Sequence, residues 1–108
     1  MARFPCSYLE GEVELTDERE RHIAANHPDL LPNQRDRIAE TLAEPDMVRH
    51  SRRFGNARLF SRWFASVRGG KHVVVVVVTE TVPAMRSWII TAYIARRLAA
   101  GETEWKRN

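Results

Sequence analysis

The sequence predicts an α+β domain, with two N-terminal helices packed on a roughly four-stranded antiparallel sheet. Three observations lead there. Val73 to Val78 is an unbroken run of six valines. Valine is stiff at χ1 and suits a pleated strand, and a segment that is apolar at every position suits a strand covered on both faces. Turn residues around Pro83 separate this run from a second strand-like stretch, Arg86 to Ile94, which makes a β-hairpin at the centre of the sheet. Upstream, two segments carry helix start and stop signals. Helices first and strands after them give a layer of helices on one side of a sheet.

Taken in order, Glu12-Val13-Glu14-Leu15 alternates and is expected as a short edge strand. Thr16 is placed to cap a helix whose first turn holds Asp17, Glu18 and Glu20, the charge that a helix N-terminus favours. That helix should end near Asn26, because the residue before Pro28 avoids the α region. Leu30 and Leu31 lie in a turn and are expected to tuck inward. Asn33 is expected to cap a second helix, Gln34 to about Ala43, with Ile38 and Leu42 as its apolar stripe. Met47 to His50 is the first strand of the sheet. Ala57 to Val67 is the next, with Leu59, Ser61 and Trp63 on one face and Arg58, Phe60, Arg62 and Phe64 on the other. Arg68-Gly69-Gly70 turns the chain into the valine strand. In the last strand Ile89, Thr91 and Tyr93 are expected to share a face opposite Trp88, Ile90 and Ala92. Ala95 to Ala100 is expected as a short helical tail.

At 108 residues the chain is one domain, long enough to bury a core without staples. A single cysteine, Cys6, excludes an internal disulfide framework and suits a reducing compartment. No apolar leader opens the chain and the valine run is too short to span a bilayer, so a cytoplasmic protein is expected. Charge is divided unevenly. Residues 1–48 hold 5 Lys/Arg against 11 Asp/Glu, a balance of −6, and residues 49–108 hold 12 against 3, a balance of +9. Nearly all the cations of the basic half are arginine, whose fork matches phosphate oxygens. With Phe54, Phe60, Trp63, Phe64, Trp88 and Tyr93 interleaved, this half suits a nucleic-acid partner.

His22 and His27 are five residues apart, roughly 140° around a helix, so they do not form an i, i+4 zinc pair. There is no HExxH, no glycine-rich phosphate loop and no GxSxG. No metal and no cofactor is expected. A set of His, Arg, Lys, Thr and Tyr remains, which suits RNA cleavage without a metal. The 2′-OH needs a general base and the leaving 5′-oxygen an acid. The developing charge on phosphorus needs fixed cations and donors. His22 is the expected proton-transfer residue, since His27 beside Pro28 has a capping job. Arg62 and Lys71 are the expected phosphate stabilisers, and Thr91 and Tyr93 the hydroxyl donors.

The pattern Leu15-Thr16, Arg21-His22-Ile23, His27-Pro28-Asp29-Leu30, Pro45-Asp46-Met47-Val48, Leu59-Phe60, Arg62, Lys71, Thr91-Ala92-Tyr93 and Trp105 resembles a phage- and mobile-element-associated branch of the barnase/EndoU/colicin/RelE-like nucleases. The resemblance spans roughly residues 13–105. It implies two helices on a four-stranded antiparallel sheet, and ribonuclease activity without a metal. It carries the family's histidines onto His22 and His27, its strand arginine onto Arg62, its basic residue onto Lys71 and its hydroxyls onto Thr91 and Tyr93. His27, Arg58, Arg96 and Arg97 are expected to bind substrate. RNA is the expected partner, with an antitoxin or immunity protein a second. A non-catalytic RNA-binding module and a partner-docking domain are the alternatives.

Overall fold

Lys71–Glu80, which contains the six valines, is the middle strand of the sheet, and all six valines are buried. The computed structural model describes residues 1–53, 55–99 and 101–108. Along the chain the elements are β1 (Ala2–Cys6), β2 (Gly11–Leu15), α1 (Asp17–Asn26), α2 (Arg35–Ala43), β3 (Met47–His50), β4 (Ala57–Phe64), β5 (Lys71–Glu80), β6 (Arg86–Ala95) and β7 (Glu102–Lys106). The strands form one sheet in the order β1-β2-β6-β5-β4-β3-β7. β2 runs parallel to β6, and the other pairs are antiparallel.

This overturns the expected architecture. The sheet has seven strands rather than four, and it is mixed rather than antiparallel. Two additions account for the difference. A hairpin of β1 and β2 adds to the β6 edge, so Gly11–Leu15 is an inner strand and not an edge. Pro5 lies in β1, the outermost strand, where a missing N–H costs no ladder bond on the open side. At the other edge the expected helical tail is absent. β6 runs on to Ala95, residues 96–99 bend away, and Glu102–Lys106 returns as β7 beside β3. The Arg107 amide and guanidinium fasten that strand to Asp46 O, Glu44 O and Pro45 O. Phe54 and Ala100 lie outside the described residues.

α1 forms as expected. The Thr16 hydroxyl accepts from Arg19 N at 3.2 Å and the helix stops at Asn26. α2 starts one residue later than expected, at Arg35. Gln34 N already donates to Leu30 O in the preceding turn, and Asn33 does not cap. Both helices cover one face of the sheet. Ile23, Leu30, Leu31, Ile38 and Leu42 meet Val73, Val75 and Val77 there, with Phe60, Phe64, Ile89 and Ala92. On the far face Val74, Val76 and Val78 pack with Ala57, Leu59, Trp88, Ile90, Tyr93 and Leu98. The valine strand is therefore covered on both sides. Each fully buried valine contributes about 1.5–3 kcal/mol of apolar burial.

Candidate functional site

Thr91 and Tyr93 stand on the far face, and a kink in β6 puts them there. Val77 faces Ile89, whereas the next residue, Val76, faces Thr91, so Ile90 is an extra residue in the strand. Such a bulge breaks the alternation of side chains. Ile89 and Ala92 enter the helix-side core, and Trp88, Ile90 and Tyr93 stand on the far face. Thr91 joins them, opposite Val76. The uninterrupted alternation expected from sequence, with Thr91 and Tyr93 beside Ile89, is thereby corrected. Thr91, Tyr93, Leu59, Val76 and residues 51–53 line a cavity of about 310 Å³ with Ala99 at its rim.

Arg49 of β3 is not part of that lining but is bonded to Ala99, which is. It sits opposite Leu59, a far-face residue, and is only 3% exposed. One guanidinium amino group, Nη1, donates to the carbonyl of Ala99. Among the described residues Nε and Nη2 have no partner and no carboxylate is paired with them. Burial pulls the pKa of this guanidinium down and Tyr93 opposes the shift. Ser61 Oγ, the other buried polar side-chain atom without a partner among the described residues, belongs to the neighbouring strand.

His72 opens β5 on the same face. Its ring meets Trp63 edge-on at 5.1 Å between centroids. Burial lowers its pKa and the Arg49 charge lowers it further, against Asp46, so the imidazole favours its neutral form. Tyr93 stands opposite Val74, and His72 opposite Ala95, which makes His72 and Tyr93 diagonal neighbours. Such pairs are about 7–8 Å apart along the sheet. From the strand edge, the His27 ring approaches the Tyr93 ring at 6.0 Å. It is placed there because α1 lies along β6 beyond its single pairing with β2, with Arg19 Nη1 donating to Ile90 O at 3.4 Å.

Of the residues predicted from sequence, the structure brings together Thr91, Tyr93 and His27. The others lie apart from them. His22 is exposed on α1, where Asn26 Nδ2 donates to its carbonyl at 2.8 Å. Arg62 is on the helix-side face, 5.3 Å from the Phe64 ring, and donates to Glu44 O at 3.2 Å. Lys71 donates to Arg68 O and Gly70 O in the turn before β5. Arg58 donates to Glu104. Arg96 and Arg97 are exposed in the bend after β6. Of the interleaved aromatics, Phe60 and Phe64 are core residues, whereas Trp63 is 48% exposed. Arg49 and His72 were missed. Arg49 is one of twelve cations in the basic half and carries no motif of its own. Its one signal is position: in Met47-Val48-Arg49-His50 it alternates with a valine.

A second polar cluster closes the sheet at its other end. Glu104 accepts from Tyr8 Oη at 2.9 Å and from Arg58 Nε at 3.0 Å, and its other oxygen lies 2.9 Å from His50 Nδ1. Tyr8 comes from the β1–β2 turn and Glu104 from β7, so these bonds tie the two ends of the sheet together. Tyr8, His50 and Arg58 also line a larger cavity of about 510 Å³. Every carboxylate oxygen here is satisfied, which marks the cluster as a staple. Burial pushes the Glu104 carboxyl up, but the bonds from Arg58, His50 and Tyr8 outweigh it and hold the pKa below its usual value. A lowered carboxyl contributes stability that is fully present above its unfolded pKa of about 4.3 and is lost as pH falls through the folded value. Glu104→Gln is therefore expected to unfold about 1–2 kcal/mol more easily at pH 7. Urea titrations at pH 7 and pH 3 should show that gap closing in acid; a gap of equal size at both would mean that the charge contributes nothing.

Among the described residues no three His, Cys, Asp or Glu side chains gather as metal ligands do. No helix among them is long and apolar enough to cross a membrane. No family model, curated protein or solved structure matches the chain. The functional reading therefore rests on the residues themselves.

Proposed function

We propose that the chain is a metal-independent endoribonuclease whose site is the far-face cluster of Arg49, His72, Thr91 and Tyr93. The observation that carries this reading is Arg49. A guanidinium buried without a counter-charge is costly, and a phosphate in the adjoining cavity, met by the Arg49 side chain turning outward from Ala99, would supply the acceptors that Nε and Nη2 lack. Arginine holds phosphate oxygens through paired N–H groups, and a site shielded from water strengthens that bond.

The roles follow from each group's surroundings. His72, kept neutral by burial, accepts the proton of the ribose 2′-OH. The 2′-oxygen attacks the adjacent phosphorus, and Arg49 stabilises the charge gathering on the non-bridging oxygens. The bond from phosphorus to the 5′-oxygen breaks, leaving a 2′,3′-cyclic phosphate. Tyr93, with His27 against its ring, donates a proton to the departing 5′-oxygen, and Thr91 donates a hydrogen bond to the phosphate. His22, Arg62 and Lys71 have no part in this arrangement.

The test is labelled RNA incubated with purified protein in EDTA. Cleavage is expected, and His72→Gln should slow it by about 10² or more, the usual scale for loss of a general base, while His22→Ala leaves it unchanged. A His72→Gln protein as active as wild type would overturn the assignment. Tight binding with no products would make the chain a recognition module. As a toxin the chain would need a neutralising partner protein, so wild type, but not His72→Gln, is expected to arrest growth of a host lacking that partner.

A further inference from the structure

The far face extends past the phosphate cluster to Trp63, an indole with no job in the core. It is 48% exposed, although the turn beside it is shaped to receive it. Gly70 has φ +104°, and a Cβ there would lie 2.6 Å from the indole ring. Only glycine lets the ring lie flat over that turn. His72 closes one flank of the indole edge-on at 5.1 Å. Asp46 fixes the backbone by accepting from Trp63 N at 2.8 Å. The result is a rigid aromatic ledge with an open side.

Its position relative to Arg49 is set by strand geometry. Arg49 faces Leu59, and Trp63 is four residues further along β4 on the same face. At about 3.3 Å per residue the ledge, and the backbone of His72 opposite it, are about 13 Å along the strands from that point. The carboxylate of Asp46 beside the ledge is engaged by Trp63 N and lies 3.8 Å from Arg107 Nε. Cations border the same face at Arg52 and Arg53, which line the cavity. A cationic pocket for a phosphate, followed by an aromatic platform for a base, suits a nucleic acid whose bases are not already stacked in a duplex.

We infer that Trp63, backed by His72 and seated over Gly70, is a base-stacking subsite that selects single-stranded RNA. The inference rests on the assignment of the far face as the phosphate site. Stacking on an exposed aromatic contributes binding for any base and requires an unpaired one.

The experiment measures binding of a fluorescent 2′-O-methyl RNA hexamer, which cannot be cut, and of the same sequence as a duplex. Wild type, Trp63→Ala, Trp63→Phe and Arg49→Met are compared, each checked for cooperative unfolding. Wild type should prefer the single strand. Trp63→Ala should weaken single-strand binding about 10-fold or more and leave duplex binding unchanged, and Trp63→Phe should restore most of it. Equal weakening of both RNAs in Trp63→Ala, or single-strand binding like wild type, would overturn the subsite. If Arg49→Met still weakened binding, the phosphate site would stand without it. No binding by wild type, or no effect of Arg49→Met, would overturn the site reading and this inference together.

Discussion

Arg49→Met is expected to abolish RNA cleavage and to cost the protein no more than about 1 kcal/mol of stability. The two halves of this result have one cause. Arg49 is 3% exposed, two of its nitrogens have no partner, and no carboxylate faces it among the described residues. Replacing a buried charged group by an apolar one of similar length is neutral or stabilising by about 1–4 kcal/mol. Against this stands the single bond from Nη1 to the Ala99 carbonyl, worth about 1 kcal/mol. The balance lies between about −1 and +3 kcal/mol. Function goes the other way. Removing one preorganised donor to a transition-state oxyanion costs about 10²–10³ in rate, and Met removes the whole fork. Arg49→Lys should fall between, keeping charge but losing the paired geometry. Urea denaturation and cleavage in EDTA, run on one preparation, give both numbers. A variant that is several kcal/mol less stable, yet active, would make Arg49 a structural residue that holds the 96–99 segment down.

The proposed site is hard to read in the sequence because it depends on which strands pair and where. The valine strand was legible because β-branching and continuous hydrophobicity act locally. The same holds for α1, whose cap and stop are set by Thr16 and Pro28. The central hairpin and its antiparallel neighbours form as expected, and the differences lie at the two edges of the sheet and at one bulge. Residues 2–6 carry a proline and alternate weakly, and they become a strand only because β2 offers an edge. Residues 102–106 are exposed throughout and are held by β3 and Arg107. The placement of Thr91 and Tyr93 turned on one bulge, at Ile90, which no composition signal announces. Thr91 and Tyr93 were chosen as site residues, and they do meet, but on the opposite face from the one expected. Arg62 and Arg58 share a strand face, as the alternation along β4 predicts. That face turned out to be the helix side, where Glu44 and Glu104 already occupy them.

The core predicts a second large effect, in stability alone. Phe60→Ala is expected to lower the unfolding free energy by about 3–5 kcal/mol, the usual cost of emptying a buried phenylalanine site. Phe60 is fully buried, between Val48 of β3 and Val75 of β5, and the Tyr8 ring meets it edge-on at 5.9 Å. It is boxed in by two strands and an aromatic ring, so the surroundings cannot close over the void cheaply. A domain of this size has about 5–15 kcal/mol in total, and each lost kcal/mol lowers Tm by about 4–8 °C, so a fall of about 15 °C or more should be seen. Phe60→Leu, which keeps most of the volume, should lose far less. Tyr8 adds a consequence of its own. With its packing partner gone, its bond to Glu104 is held less firmly, so the staple should contribute less. Phe60→Ala and Glu104→Gln combined should therefore cost less than the sum of the two, whereas strict additivity would mean that core and staple act independently. Because Phe60 lies on the opposite side of the sheet from Arg49, RNA affinity per folded molecule should be unchanged at low temperature, which separates loss of fold from loss of site.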